Sequence, residues 1–252
     1  MKLDMVGQGP ALIYLHDWGF QTDVWRRQVD FFRGRYRNIL IDYALDPVPA
    51  DLTHETLLER VCEAIEARLD PADRQPKAIL AHGLGAFVAY ELMQRGTAPG
   101  ALVLLGGFAR FTNGGAYLSG LAPERVAELR KELHEDPRQM LRHYRQLALS
   151  AADLAVPEAQ QPIPFESAAF LKVAFDTLAS HDYVDVLGHL TCRALVVQGE
   201  EDRLCPVWQG ELLRKRLKHS AFFLCRGAGH VPFATQYAQV NRRLEQFLDE
   251  GA

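Results

Sequence analysis

The residues that could carry out chemistry lie in four short loops, and each loop follows an apolar run. The loops are His16-Asp17-Trp18-Gly19, His82-Gly83-Leu84-Gly85, Gly199-Glu200-Glu201-Asp202 and Gly227-Ala228-Gly229-His230. Histidine and carboxylate side chains are common proton-transfer groups in catalysis. Ligands bind beyond the carboxyl ends of the strands in an open parallel sheet, so a site is expected in these loops.

The second loop has the form of a nucleophile elbow, the sharp strand-to-helix turn written G-x-S-x-G. Ala81, Gly85 and Ala86 supply the small residues that such a turn needs. Glycine, Gly83, stands where the nucleophilic serine is expected. The alternatives are a plain tight turn and a phosphate-binding loop, but neither G-x-G-x-x-G nor G-K-[ST] is present. The pattern therefore favours an elbow without its hydroxyl group.

Asp202 and His230 follow the elbow in the order nucleophile, acid, histidine. In such a triad Asp202 orients the imidazole of His230, which passes protons between nucleophile, water and leaving group. Taken alone, Asp202 could be a helix N-cap in an acidic loop and His230 a turn histidine. Their joint position at the ends of strands favours the catalytic interpretation.

The elements that must position these loops are short apolar strands alternating with helical patterns. Such strands indicate an α/β fold, a mostly parallel sheet with helices on both faces. The strands are predicted at 11–15, 38–42, 77–81, 101–105, 193–198 and 220–225. Helices are predicted at 53–69 and 237–248, where apolar residues recur on one face.

The strand signal disappears between about residues 108 and 188, where helices are predicted at 123–134, 137–150 and 167–181. Closely spaced prolines predict a loop from Val156 to Pro164. We interpret 108–188 as an all-helical lid inserted into a single core domain formed by 1–107 and 189–252. A second small domain unrelated to the chemistry is the alternative.

Composition narrows the class of protein. The net charge of −4 gives no reason to expect nucleic acid as a general partner. The four cysteines form no C-x-x-C pair, and the N-terminus lacks the apolar stretch of a signal peptide. No apolar run approaches the roughly 20 residues that span a membrane. We therefore expect a cytoplasmic protein without membrane or nucleic-acid partners. A monomer is the default expectation, because the sequence itself does not give the oligomeric state.

The chain resembles the α/β-hydrolase superfamily over essentially its whole length, and within it the pimeloyl-acyl-carrier-protein methyl ester esterases of biotin synthesis. The matching segments are Leu15-His16-Asp17-Trp18-Gly19 with Val24-Trp25-Arg26, Phe108-Ala109-Arg110-Phe111, and Tyr144-Arg145-Gln146-Leu147-Ala148-Leu149. The resemblance implies serine-type ester hydrolysis without cofactor or metal ion. It also implies that the backbone N–H groups of Trp18 and Leu84 form the oxyanion hole.

Three departures from the family pattern stand out. Gly83 replaces the serine, Asp17 stands where glycine is usual, and the loop Asp42-Tyr43-Ala44-Leu45-Asp46 lacks the usual glycine-rich pattern. Haloalkane dehalogenases and epoxide hydrolases carry a His-Asp-Trp-Gly elbow with aspartate as nucleophile. Here that motif follows the first predicted strand and not the third, so we do not expect Asp17 to be the nucleophile.

The predicted lid helix at 137–150 carries Arg138, Arg142 and Arg145 beside an apolar stripe that includes Tyr144, and it contains no acidic residue. A solvated helix face is the ordinary interpretation of such charges. The resemblance implies instead a dock for an acidic acyl-carrier protein.

The expected function is a carboxylesterase scaffold for an acyl methyl ester, inactive here because Gly83 supplies no nucleophile. A non-catalytic acyl-binding pseudoenzyme and a general small-ester or lactone hydrolase are the alternatives. Asp202 and His230 are retained, which favours an engineered inactive variant that Gly83→Ser would restore. The missing hydroxymethyl group would also leave space for a water beside His230.

Overall fold

The computed structural model describes residues 1–43, 48–115, 117–155 and 167–250. Seven strands within these ranges form one sheet in the order β1-β3-β2-β4-β5-β6-β7. The strands are β1 (Lys2–Val6), β2 (Ala11–Leu15), β3 (Arg37–Asp42), β4 (Ala78–His82), β5 (Ala101–Leu105), β6 (Arg193–Gly199) and β7 (Ser220–Cys225). Only the β1–β3 pair is antiparallel, so the mostly parallel sheet predicted from the apolar runs is confirmed.

The central strands are buried along their whole length because helices cover both faces of the sheet. Every residue of β2, β4 and β5 is buried, which explains why these strands are apolar except for His82 at the end of β4. Strand β1 was missed by the sequence analysis. It is a mostly exposed edge strand, so it carries no apolar run that could have revealed it.

Ten α-helices lie in the described ranges, together with short 3₁₀ turns at Thr22–Trp25, Pro71–Arg74 and Val186–His189. The helices are α1 (Arg26–Phe32), α2 (Leu57–Glu66), α3 (Leu84–Gln94), α4 (Pro123–Glu135), α5 (Pro137–Ala148), α6 (Ala151–Leu154), α7 (Ala168–Ser180), α8 (Val207–Arg216), α9 (Pro232–Thr235) and α10 (Tyr237–Asp249). The predicted helix at 53–69 is shorter at both ends in α2, whereas α10 matches its predicted range and buries its apolar stripe.

Two hydrophobic clusters lie on opposite faces of the sheet. One joins strand residues such as Ile13 to α2, α3 and α7, and the other joins residues such as Leu12 to α1 and α10. Adjacent strand residues point to opposite faces, so both faces of the sheet belong to the core.

The segment at 108–188 contains helices α4 to α7 and no strand of the sheet among its described residues. It is not entirely helical. Isolated β-bridges join Arg110 to Asp182, Thr112 to Leu121 and Gly114 to Tyr117. The predicted loop at 156–164 lies outside the described residues, as do three residues of the loop at 42–46. None of the described helices is both long and apolar enough to cross a membrane.

The register of the strands brings the four loops of the sequence analysis together. Leu15 at the end of β2 pairs with Ala81 of β4, and Gly199 at the end of β6 pairs with Cys225 of β7. Because these strands are parallel, the loops that follow them all leave the same edge of the sheet.

Candidate active site

A sharp turn joins β4 to α3 at Gly83. The strand ends at His82, Gly83 has φ 50° and ψ −117°, and α3 begins at Leu84. Residues that carry a side chain rarely adopt a positive φ of this kind, whereas glycine adopts it without strain. Gly85, in the first turn of α3, is required for a different reason: a β-carbon there would lie 2.4 Å from the carbonyl oxygen of Leu15. Glycine at 85 is therefore what allows α3 to approach β2 so closely.

The carboxylate of Asp17 occupies the space beside Gly83. A β-carbon built on Gly83 would lie 1.9 Å from both Cγ and Oδ1 of Asp17. The backbone N–H of Leu84 donates to Oδ1 at 2.5 Å, and the hydroxyl of Tyr144 donates to Oδ2 at 2.8 Å. The space left by the missing hydroxymethyl group is thus filled by a carboxylate. The expectation that it would hold a water beside His230 is wrong.

His230 lies between two carboxylates. Its Nδ1 is 2.7 Å from Oδ2 of Asp202, and its Nε2 is 3.3 Å from Oδ2 of Asp17. The N–H groups of Leu204 and Cys205 donate to the other oxygen of Asp202, at 2.9 and 2.8 Å. These bonds hold the carboxylate of Asp202 in place, with its second oxygen facing Nδ1 of His230.

The two carboxylates govern the protonation of His230. Burial, the strongest single effect, lowers the pKa of His230, but Asp202 and Asp17 together outweigh it and raise the pKa to about 10. Burial likewise opposes ionisation of Asp17, yet the hydrogen bond with His230 and the nearby positive charge lower its pKa overall. At neutral pH this arrangement holds a protonated imidazole between two anions.

A second imidazole, His82, lies against His230 with 4.4 Å between the ring centroids. Its Nδ1 donates to the carbonyl oxygen of Leu105 at 2.8 Å, and no partner for Nε2 is found within the described residues. Burial lowers the pKa of His82 to about 3, so the ring is neutral. The ligand atoms of Asp17, His82 and His230 lie within 4.8 Å of one another, close enough to bind one metal ion.

Trp18 holds the loop after β2 against the helical segment. Its indole N–H donates to the carbonyl oxygen of Leu171 at 2.9 Å, and its ring makes edge contacts with Tyr144 and Phe175. The N–H of Leu84, predicted to lie in the oxyanion hole, is engaged by Asp17. An incoming carbonyl group would have to displace that carboxylate.

Tyr144 and two of the predicted arginines lie on opposite faces of helix α5. Its buried face consists of Met140, Leu141, Tyr144 and Ala148. Arg138 and Arg142 are exposed, and Arg145 is half-buried, which lowers its pKa. The structure thus brings Gly83, Leu84, Trp18, Tyr144, Asp202 and His230 together and leaves Arg138 and Arg142 at the surface.

Comparisons with known proteins agree with this geometry. The model of the alpha/beta hydrolase family matches residues 12–243. The chain belongs to the alpha/beta hydrolase family. A pimeloyl-[acyl-carrier protein] methyl ester esterase from Vibrio vulnificus is 27% identical to this alpha/beta hydrolase, with 91% of each chain covered. The enzyme of that name from Xanthomonas campestris is 25% identical, with 98% of each covered. Among solved structures, an esterase from Exiguobacterium antarcticum superposes with a TM-score of 0.82 and 20% identity, covering 98% of this chain and 94% of the other.

The sequence alone does not predict that Asp17 and His82 lie beside His230. The contact between Asp17 and position 83 depends on the spacing of two neighbouring strands, which no pattern along the chain gives. His82 precedes the elbow and was included only as part of its motif. A signal for Asp17 is nevertheless present, because both Asp17 and Gly83 depart from the pattern that the family resemblance implies.

Proposed function

We propose that this chain is a carboxylesterase scaffold for an acyl methyl ester carried on an acyl-carrier protein, and that its present form does not cleave the ester by the serine route. One observation carries the proposal: the carboxylate of Asp17 fills the nucleophile's place beside Gly83. The names of the relatives support the substrate class.

Three features of the site act against serine-type chemistry in the chain as it stands. Position 83 has no hydroxyl group to attack a carbonyl carbon. The N–H of Leu84 is taken by Asp17. His230 is held protonated, and a protonated imidazole cannot act as a general base. These three features speak against serine-type hydrolysis of any ester or lactone by the chain as it stands, and they support the non-catalytic alternative.

The same geometry argues against a simple Ser-to-Gly origin for position 83. A serine β-carbon would overlap Asp17, so the two positions are adapted to each other. We infer that glycine at 83 and aspartate at 17 form a matched pair. An inactivating change made at position 83 alone would not explain the aspartate.

The test is to restore both positions together. Gly83→Ser alone should remain inactive because Asp17 collides with the new side chain. Asp17→Gly with Gly83→Ser should place a hydroxyl group near Nε2 of His230 and free the N–H of Leu84. We expect the double variant to hydrolyse p-nitrophenyl esters of some chain length and to be labelled at position 83 by a fluorophosphonate probe.

Two controls make the result specific. Asp17→Gly alone frees the space but supplies no nucleophile, so it should stay unlabelled. Adding His230→Ala to the double variant should abolish both hydrolysis and labelling. A folded double variant that remains unlabelled and inactive would contradict the assignment of Gly83 to the nucleophile position.

A further inference from the structure

Two imidazole rings and one carboxylate converge at the carboxyl end of the sheet. Asp17, His82 and His230 each offer a ligand atom within 4.8 Å of the others, and each residue is almost completely buried. Two histidines and one carboxylate form a common ligand set for divalent transition metals and leave coordination positions open. The sequence analysis predicted no metal ion.

The unused nitrogen of His82 is an independent sign of a ligand. A carbonyl oxygen only accepts hydrogen bonds, so the bond to Leu105 fixes the proton on Nδ1 and leaves the lone pair on Nε2. That nitrogen is buried and has no donor among the described residues. Buried polar atoms without a partner are rare in folded proteins, and an ion is one of the ordinary explanations.

Each candidate ligand is also held in its orientation by hydrogen bonds to residues outside the group of three. His82 donates Nδ1–H to the carbonyl oxygen of Leu105. His230 donates Nδ1–H to Asp202, and Asp17 accepts from Leu84 and Tyr144. Metal-binding histidines almost always donate their second N–H to a carbonyl or carboxylate, which fixes the ring and the tautomer.

We propose that Asp17, His82 and His230 form a binding site for one divalent transition-metal ion, with Zn²⁺ the best-fitting ion. Zn²⁺ accepts imidazole and carboxylate ligands and imposes little geometric preference of its own. Tetrahedral ligands at its usual bond lengths of about 2.0–2.1 Å lie roughly 3.3 Å apart. Nε2 of His230 and Oδ2 of Asp17 already have that separation, at 3.3 Å.

Binding of Zn²⁺ would replace the proton on Nε2 of His230. The ion takes the place of the Nε2 proton of His230, and that proton leaves to the solvent. Asp17 keeps a positive partner throughout, and Asp202 continues to hold Nδ1. The inference goes beyond the proposed function and stands without it, because it concerns binding by the chain as it is.

The test is direct metal binding by the tag-free, full-length protein. The chain is stripped with a chelator, titrated with Zn²⁺ in a calorimeter and analysed for bound metal. We expect one Zn²⁺ per chain, and we expect Co²⁺ to give a visible absorption band when it replaces Zn²⁺. His82→Phe and Asp17→Asn should each weaken Zn²⁺ binding by about 100-fold or more, because each removes a ligand.

His181→Phe is the matched control. His181 is a half-buried histidine whose Nδ1 donates to Thr177, and it lies outside the group of three. Its replacement should leave Zn²⁺ binding unchanged. Asp17→Asn keeps the size of the side chain, so it serves as a second test if His82→Phe does not fold. Substoichiometric Zn²⁺ in the unsubstituted chain, or binding that survives loss of either ligand, would overturn the proposal.

The metal-binding experiment and the serine-restoration experiment test the two proposals separately, so one proposal can be contradicted without the other. Asp17→Gly with Gly83→Ser removes a proposed metal ligand, so esterase activity in that variant says nothing for or against the ion. Conversely, Zn²⁺ binding by the unsubstituted chain does not require any hydroxyl group at position 83.

Discussion

The carboxylates of Asp202 and Asp17 together determine the charge that His230 carries. In the metal-free protein we expect His230 to remain protonated well above neutral pH, because its pKa is raised to about 10 by Asp202 and Asp17 against the opposing effect of burial. A folded-state pKa above the unfolded value stabilises the fold fully below the unfolded pKa of about 6.5. That stabilisation is lost as pH rises through about 10.

NMR of the His230 imidazole in chelator-treated protein checks this expectation. Asp17→Asn removes one of the two anions, so the His230 titration should move to lower pH. Urea unfolding should show the matching change: the unsubstituted chain should lose more unfolding free energy between pH 7 and 10 than Asp17→Asn does. A His230 resonance that titrates near its ordinary pKa in the unsubstituted chain would contradict this account.

The residues of the site were only partly predictable. Gly83, Asp202 and His230 occupy fixed places after their strands, so strand prediction was enough to name them as candidates. The role of Asp17 was not predictable in this way. Its carboxylate reaches position 83 from a neighbouring strand, and that contact depends on the distance between the two loops and not on any spacing along the chain.

The end of helix α5 is attached to the loop that carries His230. The N–H of His230 donates to the carbonyl oxygen of Ala148 at 2.6 Å. Asp153, which is buried, accepts from the N–H groups of Gly229 at 2.6 Å and Ser150 at 2.9 Å. These bonds from Ala148 and Asp153, which we call the seam, join the helical segment to the core directly beside the candidate site.

Asp153→Ala should therefore destabilise the fold. It leaves the N–H groups of Gly229 and Ser150 without their acceptor, and hydrogen bonds to a charged group are worth about 1.5–3 kcal/mol each. We expect a loss of about 2–4 kcal/mol of unfolding free energy in urea. Asp176→Ala is the control, because Asp176 pairs with Arg130 near the surface and should cost about 1 kcal/mol or less. Equal losses for the two variants would mean that Asp153 does not hold the seam.

Helix α5 also supports a prediction about the carrier protein. Arg138 and Arg142 are exposed, whereas Arg145 is half-buried, so charge reversal at Arg145 would test packing as well as docking. In the Asp17→Gly, Gly83→Ser background, we expect Arg138→Glu with Arg142→Glu to lower kcat/KM for an acyl methyl ester on a carrier protein by about tenfold. Added salt should weaken the effect of the charges.

A small thioester with the same acyl methyl ester is the matched substrate, and its turnover should be nearly unchanged. Arg214→Glu with Lys215→Glu is the matched protein control, since both residues are exposed on α8. Equal loss on both substrates would mean that the arginines maintain the helix. No loss of turnover on either substrate would mean that Arg138 and Arg142 belong to an ordinary solvent-exposed helix face.

Among the elements, the parallel strands and most helices could be predicted because burial on two faces leaves long apolar runs. Strand β1 could not, because an exposed edge carries mixed residues. The bridge from Arg110 to Asp182 joins residues far apart in sequence, so no local pattern reveals it.

The molecule as a whole encloses its candidate site. The side chains of Asp17 and His230 have no exposed surface, and Tyr144 of α5 lies directly on Asp17. An acyl ligand that reached His230 would have to displace groups that cover it, among them Asp17 and Tyr144. The bonds from Ala148 and Asp153 hold the end of α5 to the core, so we expect any opening to begin away from this seam.

The fit between Asp17 and Gly83 restricts how this sequence can evolve. A first step to serine at position 83 meets the aspartate, and a first step to glycine at position 17 leaves three former partners of the carboxylate facing an empty space. The two positions are therefore coupled: a substitution at one is expected to be less costly when the other is substituted as well. Among sequences related to this one, we therefore expect the residues at positions 17 and 83 to change together.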